Sequence, residues 1–80
     1  MRTTLQEITV GETASVSGYA GGPRVYREKL LAMGLTRGTK IKVERIAPMG
    51  DPVEILVRGF ALSLRKDEAA ALLVERRKPS

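Results

Sequence analysis

Apolar and polar residues alternate along several short segments of this chain, which is the pattern of half-buried β-strands. Within residues 39–44, Ile41 and Val43 share one face, while the intervening positions are charged. The same period of two predicts strands over residues 53–58 and 60–65, and shorter apolar runs predict strands over 14–17 and 72–76. The alternation slips at Arg45 and Ile46, which predicts a bulge or a strand end there.

One helix is predicted between the first two strands. Gly22 can serve as its N-cap, and Pro23 suits the first helical position, where a missing N–H costs nothing. Tyr26, Leu30 and Met33 then follow at i, i+4 and i+7, which gives one apolar stripe on the helix. The sequence therefore predicts a short amphipathic helix that buries this stripe.

Glycines mark the ends of the predicted elements. Gly34 is expected in the left-handed conformation that ends the helix, with Leu35 folding back on Leu30. Gly38, Gly50 and Gly59 are predicted to form structural turns, and a second helical turn is expected over residues 67–71, where two acids favour its N-terminal end.

Five short strands with tight turns and one helix predict a mainly β fold, a small SH3-like antiparallel barrel. An OB-fold is the alternative small barrel, although its strands usually run longer. Phe60, Leu62 and Leu64 are expected to face the core of this barrel. Residues 1–76 are predicted to form this single domain, with residues 77–80 as a loose tail.

Composition narrows the classes of function. The chain has 80 residues, a net charge of +5, no cysteine and no histidine. Its longest apolar run, residues 69–74, is far below the roughly 18 residues of a membrane helix, and its first residues do not resemble a signal peptide. A cytoplasmic protein without membrane insertion is the resulting expectation.

The sequence offers few residues that could catalyse a reaction or bind a metal ion. Stable transition-metal sites use imidazole and thiolate ligands, and His and Cys are also the usual catalytic bases and nucleophiles. The Gly-rich loop of residues 18–23 opens a helix but lacks the Gly-Lys-Ser/Thr ending of a phosphate-binding loop. The sequence therefore predicts no enzyme activity, no cofactor and no metal site, and it predicts a plain strand-to-helix turn at this loop.

Nucleic-acid binding is one of two remaining alternatives, because small basic barrels often bind single strands through exposed aromatic rings. Tyr26 and Phe60 are predicted to be buried, which leaves Tyr19 as the lone stacking platform. The basic residues are spread along the chain in modest groups, and the fullest are at 24–29, 37–42 and 76–78. Weak, non-specific binding is what such a pattern predicts.

A protein-interaction module is the other alternative. Leu31 falls off the predicted helix stripe, and Leu56 is out of phase with the buried side of its strand. Apolar residues on solvent-exposed faces mark contact sites. Arg24 and Arg27 would supply a polar rim around Leu31. These four residues are the predicted partner-binding residues.

A helix end, a hairpin loop and a C-terminal segment follow one another in a distinctive order over about residues 3–75. These are Leu30-Leu31-Ala32-Met33-Gly34-Leu35, Ala47-Pro48-Met49-Gly50-Asp51-Pro52 and Leu62-Ser63-Leu64-Arg65 followed by Glu68-Ala69, with Leu5, Val10-Gly11-Glu12, Gly21-Gly22, Gly38-Thr39 and Gly59 between and around them. This order of motifs resembles the ferrous iron transport protein A (FeoA) family. One departure is Arg37, where the family often has proline.

This resemblance implies an SH3-like cytoplasmic barrel that takes part in ferrous iron transport. Its implied partner is the cytoplasmic part of a membrane-embedded, GTP-dependent ferrous iron permease, which it would support without carrying iron itself. The family is often associated with transition metals, and the same barrel also occurs as a module of metal-responsive repressors, which leaves a repressor-type regulatory domain as an alternative. Self-association stays open.

Overall fold

The computed structural model describes residues 3–77 and shows a mainly β protein with two short helices. Six strands form one antiparallel sheet: β1 (Thr3–Thr4), β2 (Thr13–Tyr19), β3 (Lys40–Ile46), β4 (Val53–Val57), β5 (Phe60–Leu64) and β6 (Leu72–Arg76). Helix α1 (Arg24–Ala32) lies between β2 and β3, and α2 (Lys66–Ala71) lies between β5 and β6. The predicted tail residues 78–80 lie outside the described part of the chain.

The strand order is β1-β6-β2-β3-β4-β5, so the last strand pairs in the middle of the sheet and β5 lies at one edge. The two ends of the curled sheet meet through a short 3-10 turn at Leu5–Glu7 and helix α2, where the Gln6 side-chain amide donates to the Lys66 carbonyl at 3.1 Å. This is the SH3-like architecture predicted from the alternation.

The core is built mainly from the inward positions of the strands, and both helices and the connecting segments add a few residues to it. Fifteen hydrophobic residues are buried among residues 3–77, including Ile41 and Val43 of β3, and Val53, Ile55 and Val57 of β4. Burial therefore follows the period of two that the sequence predicts. The ladder between β3 and β4 shifts register between Val43 and Arg45, where the alternation slips.

Helix α1 ends in the way its sequence predicts. The Gly34 N–H donates to the Leu31 carbonyl and the Leu35 N–H donates to the Leu30 carbonyl, both at 3.0 Å. These two bonds form a Schellman motif, which requires a left-handed residue at Gly34, and φ there is +85°. Leu30 and Leu35 are both fully buried, so the helix end is fastened to the core.

A two-residue turn joins β4 to β5. Arg58 and Gly59 both have positive φ, of 52° and 84°, as expected for the mirror-image turn that matches the twist of a hairpin. β4 therefore ends at Val57, one residue earlier than the alternation suggests. Gly38 and Gly50, the other two predicted turn residues, also have positive φ.

Four sequence predictions need correction. The sheet has six strands and not five, because β1 spans only two residues and is too short for an alternation to indicate it. Phe60 is 73% exposed, although it is paired with the buried Val57, because it lies at the turn end of the edge strand β5, whereas Leu64 at the other end of β5 is buried. Tyr26 is only half-buried. Pro23 is the N-cap and not the first helical residue, since its ψ of 129° is extended.

Candidate partner-binding site

Helix α1 buries little of its own surface. Leu30 is its one buried residue, whereas Val25 is 62% exposed and Leu31 is 42% exposed. One fully buried side chain, that of Leu30, anchors this nine-residue helix in the core. The Schellman motif at its C-terminal end and the ion pair between Lys29 and Glu68 also hold its position. Most of the helix surface is therefore available to a partner.

Three of the predicted partner-binding residues share one side of this helix. Arg24, Arg27 and Leu31 follow at i, i+3 and i+7, which places them within about 60° around the helix axis. Leu31 lies about 100° away from the buried Leu30. All three are exposed, and we call them the helix strip. The pairing of Arg24 with Glu28, at 3.9 Å between highly exposed side chains, contributes little to stability.

Tyr19 connects the helix strip to the barrel. Its hydroxyl donates a 2.6 Å hydrogen bond to the Leu35 carbonyl, just beyond the end of α1. The Arg27 guanidinium lies over the ring, 5.6 Å from its centroid, at a distance typical of a cation–π contact. Tyr19 is half-buried, and one face of its ring is occupied by Arg27. The single predicted stacking platform is therefore not open to a nucleic-acid base on that face.

A groove of about 470 Å³ opens beside this contact, and we call it the arginine groove. Tyr19, the Gly-rich loop and three arginines form its walls: the lining residues are Tyr19, Ala20, Gly21, Gly22, Pro23, Arg24, Arg27 and Arg37. Arg37 comes from the segment between α1 and β3, and its Nε lies 4.0 Å from the place where a side chain at Gly18 would begin. The fold thus brings three guanidinium groups together from two segments.

Glu68 fixes the other side of α1. Its buried carboxylate pairs with the Lys29 ammonium and accepts a 2.7 Å hydrogen bond from the Arg65 N–H at the start of α2. Burial alone would raise the pKa of Glu68, but the hydrogen bonds from Lys29 and Arg65 and the charge of Lys29 outweigh it and lower the pKa. The pair joins α1 to α2.

Leu56, the fourth predicted residue, lies on a different surface. It is half-buried on β4, between Lys42 of β3 and Ala61 of β5 in the sheet. It lines a groove of about 280 Å³ together with residues such as Thr13, Lys40 and Arg58, and none of the lining residues belongs to α1. The structure brings Arg24, Arg27 and Leu31 together and leaves Leu56 apart from them.

Other chemistry has little support in the described residues. Within residues 3–77, no three acidic side chains form a group that could hold a metal ion. The two helices found in this range are too short and too polar to cross a bilayer. The predictions of no metal, no cofactor and no catalysis stay predictions.

Sequence reasoning misses two residues of this region. Arg37 falls in a group with Lys40 and Lys42 that is typical of ordinary surface charge, and no local pattern indicates that its loop packs against β2 and Tyr19. Glu68 is predicted only as part of a helix start. Glu68 stands three residues after Arg65, a spacing that indicates a capping hydrogen bond at the start of a helix. Its burial has no such signal, because it depends on the position of Lys29 in another element.

Comparison with known proteins identifies the family. The family model of the FeoA domain matches residues 3–76. A Fe(2+) transport protein A/Fe(2+) transporter FeoB fusion protein of Porphyromonas gingivalis is 35% identical over 71 residues, which are 89% of this chain and 8% of the relative. The chain therefore corresponds to a small part of that relative's length.

Solved structures agree on the fold. An NMR structure of a FeoA-like protein from Clostridium acetobutylicum is 40% identical, has a TM-score of 0.87, and is matched over 99% of this chain and 91% of the other. A manganese-dependent transcriptional repressor has a TM-score of 0.85 at 13% identity, over 95% of this chain and 42% of the other, and this likeness concerns the fold alone. With a family model over nearly the whole described chain and a closely matching FeoA-like structure, the protein is a member of the FeoA family.

Proposed function

We propose that the protein is a cytoplasmic accessory protein of ferrous iron uptake that binds the cytoplasmic part of a membrane-embedded, GTP-dependent ferrous iron permease. The observation that carries this proposal is the fusion relative, whose name joins an Fe(2+) transport protein A to the transporter FeoB in a single chain. Fusion gives two proteins a high effective concentration for each other, which is useful when they work in contact. Nothing in this role requires a catalytic group.

The contact surface in this proposal is the helix strip. Leu31 offers an exposed apolar side chain, and Arg24 and Arg27 offer guanidinium groups that pair with carboxylates through two parallel hydrogen bonds. Burial of Leu31 against a partner removes apolar surface from water without any change in the barrel. The Leu56 surface is the second candidate within the same proposal, because it is also apolar and flanked by basic residues.

Complementation of iron uptake tests the helix strip. The double variant Leu31→Asp with Arg27→Glu is expected to abolish permease-dependent ferrous iron uptake in cells that lack the native protein. A matched control carries the same two kinds of change elsewhere, Val10→Asp with Arg45→Glu, at residues that are also exposed. Both proteins should keep the circular dichroism spectrum of the wild type.

Uptake at the wild-type level by the strip variant, at normal expression, would show that the strip is not the contact surface. Leu56→Asp would then be the next variant. If neither surface matters while deletion of the whole protein abolishes uptake, the protein acts without the contact proposed here.

A further inference from the structure

The arginine groove concentrates positive charge that the described part of the chain does not balance. Arg24, Arg27 and Arg37 line it, and no acidic residue is among its lining residues. Among residues 3–77, Arg27 and Arg37 form no ion pair, and Arg24 has only the long, exposed contact with Glu28. The three guanidinium groups carry the same charge, and an anion in the groove they line would be attracted by all of them.

The groove is also partly preorganised. Arg27 lies over the Tyr19 ring, and that ring is fixed by the hydrogen bond from its hydroxyl to the Leu35 carbonyl. The Arg37 Nε lies beside Gly18, the residue before Tyr19, 4.0 Å from the place that a Cβ would occupy there. A side chain that is already positioned loses less conformational entropy when a partner binds, so preorganisation favours binding.

We propose that the arginine groove receives an acidic segment of the partner protein, with at least two carboxylates that pair with the three guanidinium groups. This inference rests on the proposed function and adds the chemistry of the contact to it. The planar guanidinium matches a carboxylate over two hydrogen bonds, and the groove opens beside the helix strip, with which it shares Arg24 and Arg27. The partner's acidic segment thus lies next to the apolar group that covers Leu31.

The role of Arg37 distinguishes this inference from docking on the helix strip alone. Arg37 lines the groove but belongs to the segment that follows α1, so a partner that contacts only the outer side of α1 does not need it. A requirement for Arg37 is therefore specific to an occupied groove.

The first experiment titrates ¹⁵N-labelled protein with an acetylated hexaglutamate peptide, and with hexaglutamine and inorganic phosphate in separate titrations at equal ionic strength. We expect the hexaglutamate to shift the Nε–Hε signals of Arg24, Arg27 and Arg37, and hexaglutamine to shift none of them. Arg37→Gln should weaken hexaglutamate binding by about tenfold, whereas Arg45→Gln, which removes the same charge from β3, should weaken it by less than about twofold.

Three results of the titration would overturn the inference. If Arg37→Gln and Arg45→Gln lose the same amount of hexaglutamate affinity, the peptide responds only to the net charge of the protein. Phosphate binding as tight as that of the peptide, with the same dependence on Arg37, would make the groove a site for small oxyanions. Absence of shifts at the three arginines with hexaglutamate would mean that the groove takes no acidic segment.

Co-purification with the permease separates this inference from the proposed function. If the wild type and Arg45→Gln co-purify with the permease and Arg37→Gln does not, the inference is supported. If all three proteins co-purify equally, the proposed function stands, and the inference that the groove receives an acidic segment is wrong. If the wild type itself fails to co-purify, the proposed function fails. Because Arg37 is exposed, its substitution should leave the fold intact, and a circular dichroism spectrum identical to that of the wild type checks this.

Discussion

Lys29 of α1 and Glu68 of α2 form an ion pair between the two helices, and the Glu68 side chain is almost completely buried although the Lys29 side chain is about half-exposed. The same carboxylate caps the start of α2 through the Arg65 N–H. Because Leu30 is the single buried residue of α1, this pair is one of few interactions that fix the helix carrying the proposed contact surface.

Loss of this pair should destabilise the fold in a pH-dependent way. Lys29→Met leaves a buried carboxylate without its counter-charge and is expected to cost about 1–3 kcal/mol at neutral pH. Because the pKa of Glu68 is lowered in the folded state from 4.5, the stability that it contributes is present above 4.5 and is lost as the pH falls through the lower, folded value.

Urea unfolding of the wild type, Lys29→Met and Glu68→Gln across a pH series measures both effects. The difference in unfolding free energy between the wild type and Glu68→Gln should be constant from neutral pH to about 5 and should shrink below 4.5. Arg45→Met, at an exposed and long ion pair with Glu54, serves as the control and should cost little at any pH. A constant difference down to strong acid would contradict the role assigned to the Glu68 carboxylate.

Gly34 should tolerate substitution poorly because of its backbone conformation. At a φ of +85°, a Cβ costs about 1 kcal/mol or more, and β-branched valine costs more than alanine. Gly34→Val should therefore lower the melting temperature clearly, by several degrees for a domain of this size. Space is not the reason, since an added Cβ would meet its nearest neighbour, Nη1 of Arg58, at an ordinary 3.6 Å.

Gly21 offers a matched control for this prediction. An added Cβ there would have no neighbour within 4 Å and the backbone is not left-handed, so Gly21→Val should lower the melting temperature much less than Gly34→Val does. Equal melting curves for the Gly34→Val variant and the wild type would mean that the Schellman end does not hold the helix.

Much of the fold can be predicted from residues that lie close together in the sequence. The end of α1 depends on Gly34 and Leu35, which are neighbours in sequence, and the inward face of β3 follows directly from the alternation around Ile41 and Val43. Phe60 shows the limit of this reasoning. Phe60 and Leu64 share one face of β5, but Leu64 is buried and Phe60 is exposed, because Phe60 lies at the turn end of this edge strand.

The candidate site is predictable only in part. The spacing of Arg24, Arg27 and Leu31 is enough to indicate that they share one side of the helix. The contribution of Arg37 to the same region depends on a turn that brings it back to β2, with hydrogen bonds such as that of the Gly38 N–H to the Val16 carbonyl at 2.8 Å. Such a long-range contact leaves no periodic signal in the sequence.

Metal binding by the isolated protein should be weak. The chain has neither His nor Cys, and oxygen ligands alone bind ferrous iron and zinc with low selectivity. Titration calorimetry with anaerobic Fe²⁺ and with Zn²⁺ is expected to show no stoichiometric site of sub-micromolar affinity. A saturable site in that range would refute this prediction.

Nucleic-acid binding should be weak, non-specific and sensitive to salt. The net charge of +5 can neutralise phosphates. Because Arg27 occupies one face of the Tyr19 ring, little aromatic surface is left on which a base could stack. Fluorescence anisotropy with several single-stranded oligonucleotides at two salt concentrations should show similar affinities that fall as salt rises. Tight binding that persists at physiological salt and is lost in Tyr19→Ala would favour the nucleic-acid alternative.

Biolayer interferometry can measure the contact directly, with the purified protein and the purified ferrous iron permease in lipid nanodiscs. We expect saturable binding by the wild type and by Val10→Asp with Arg45→Glu, and loss of binding by Leu31→Asp with Arg27→Glu. Absence of binding by the folded wild-type protein, under conditions in which the permease binds GTP, would mean that the protein does not act by contact with the permease.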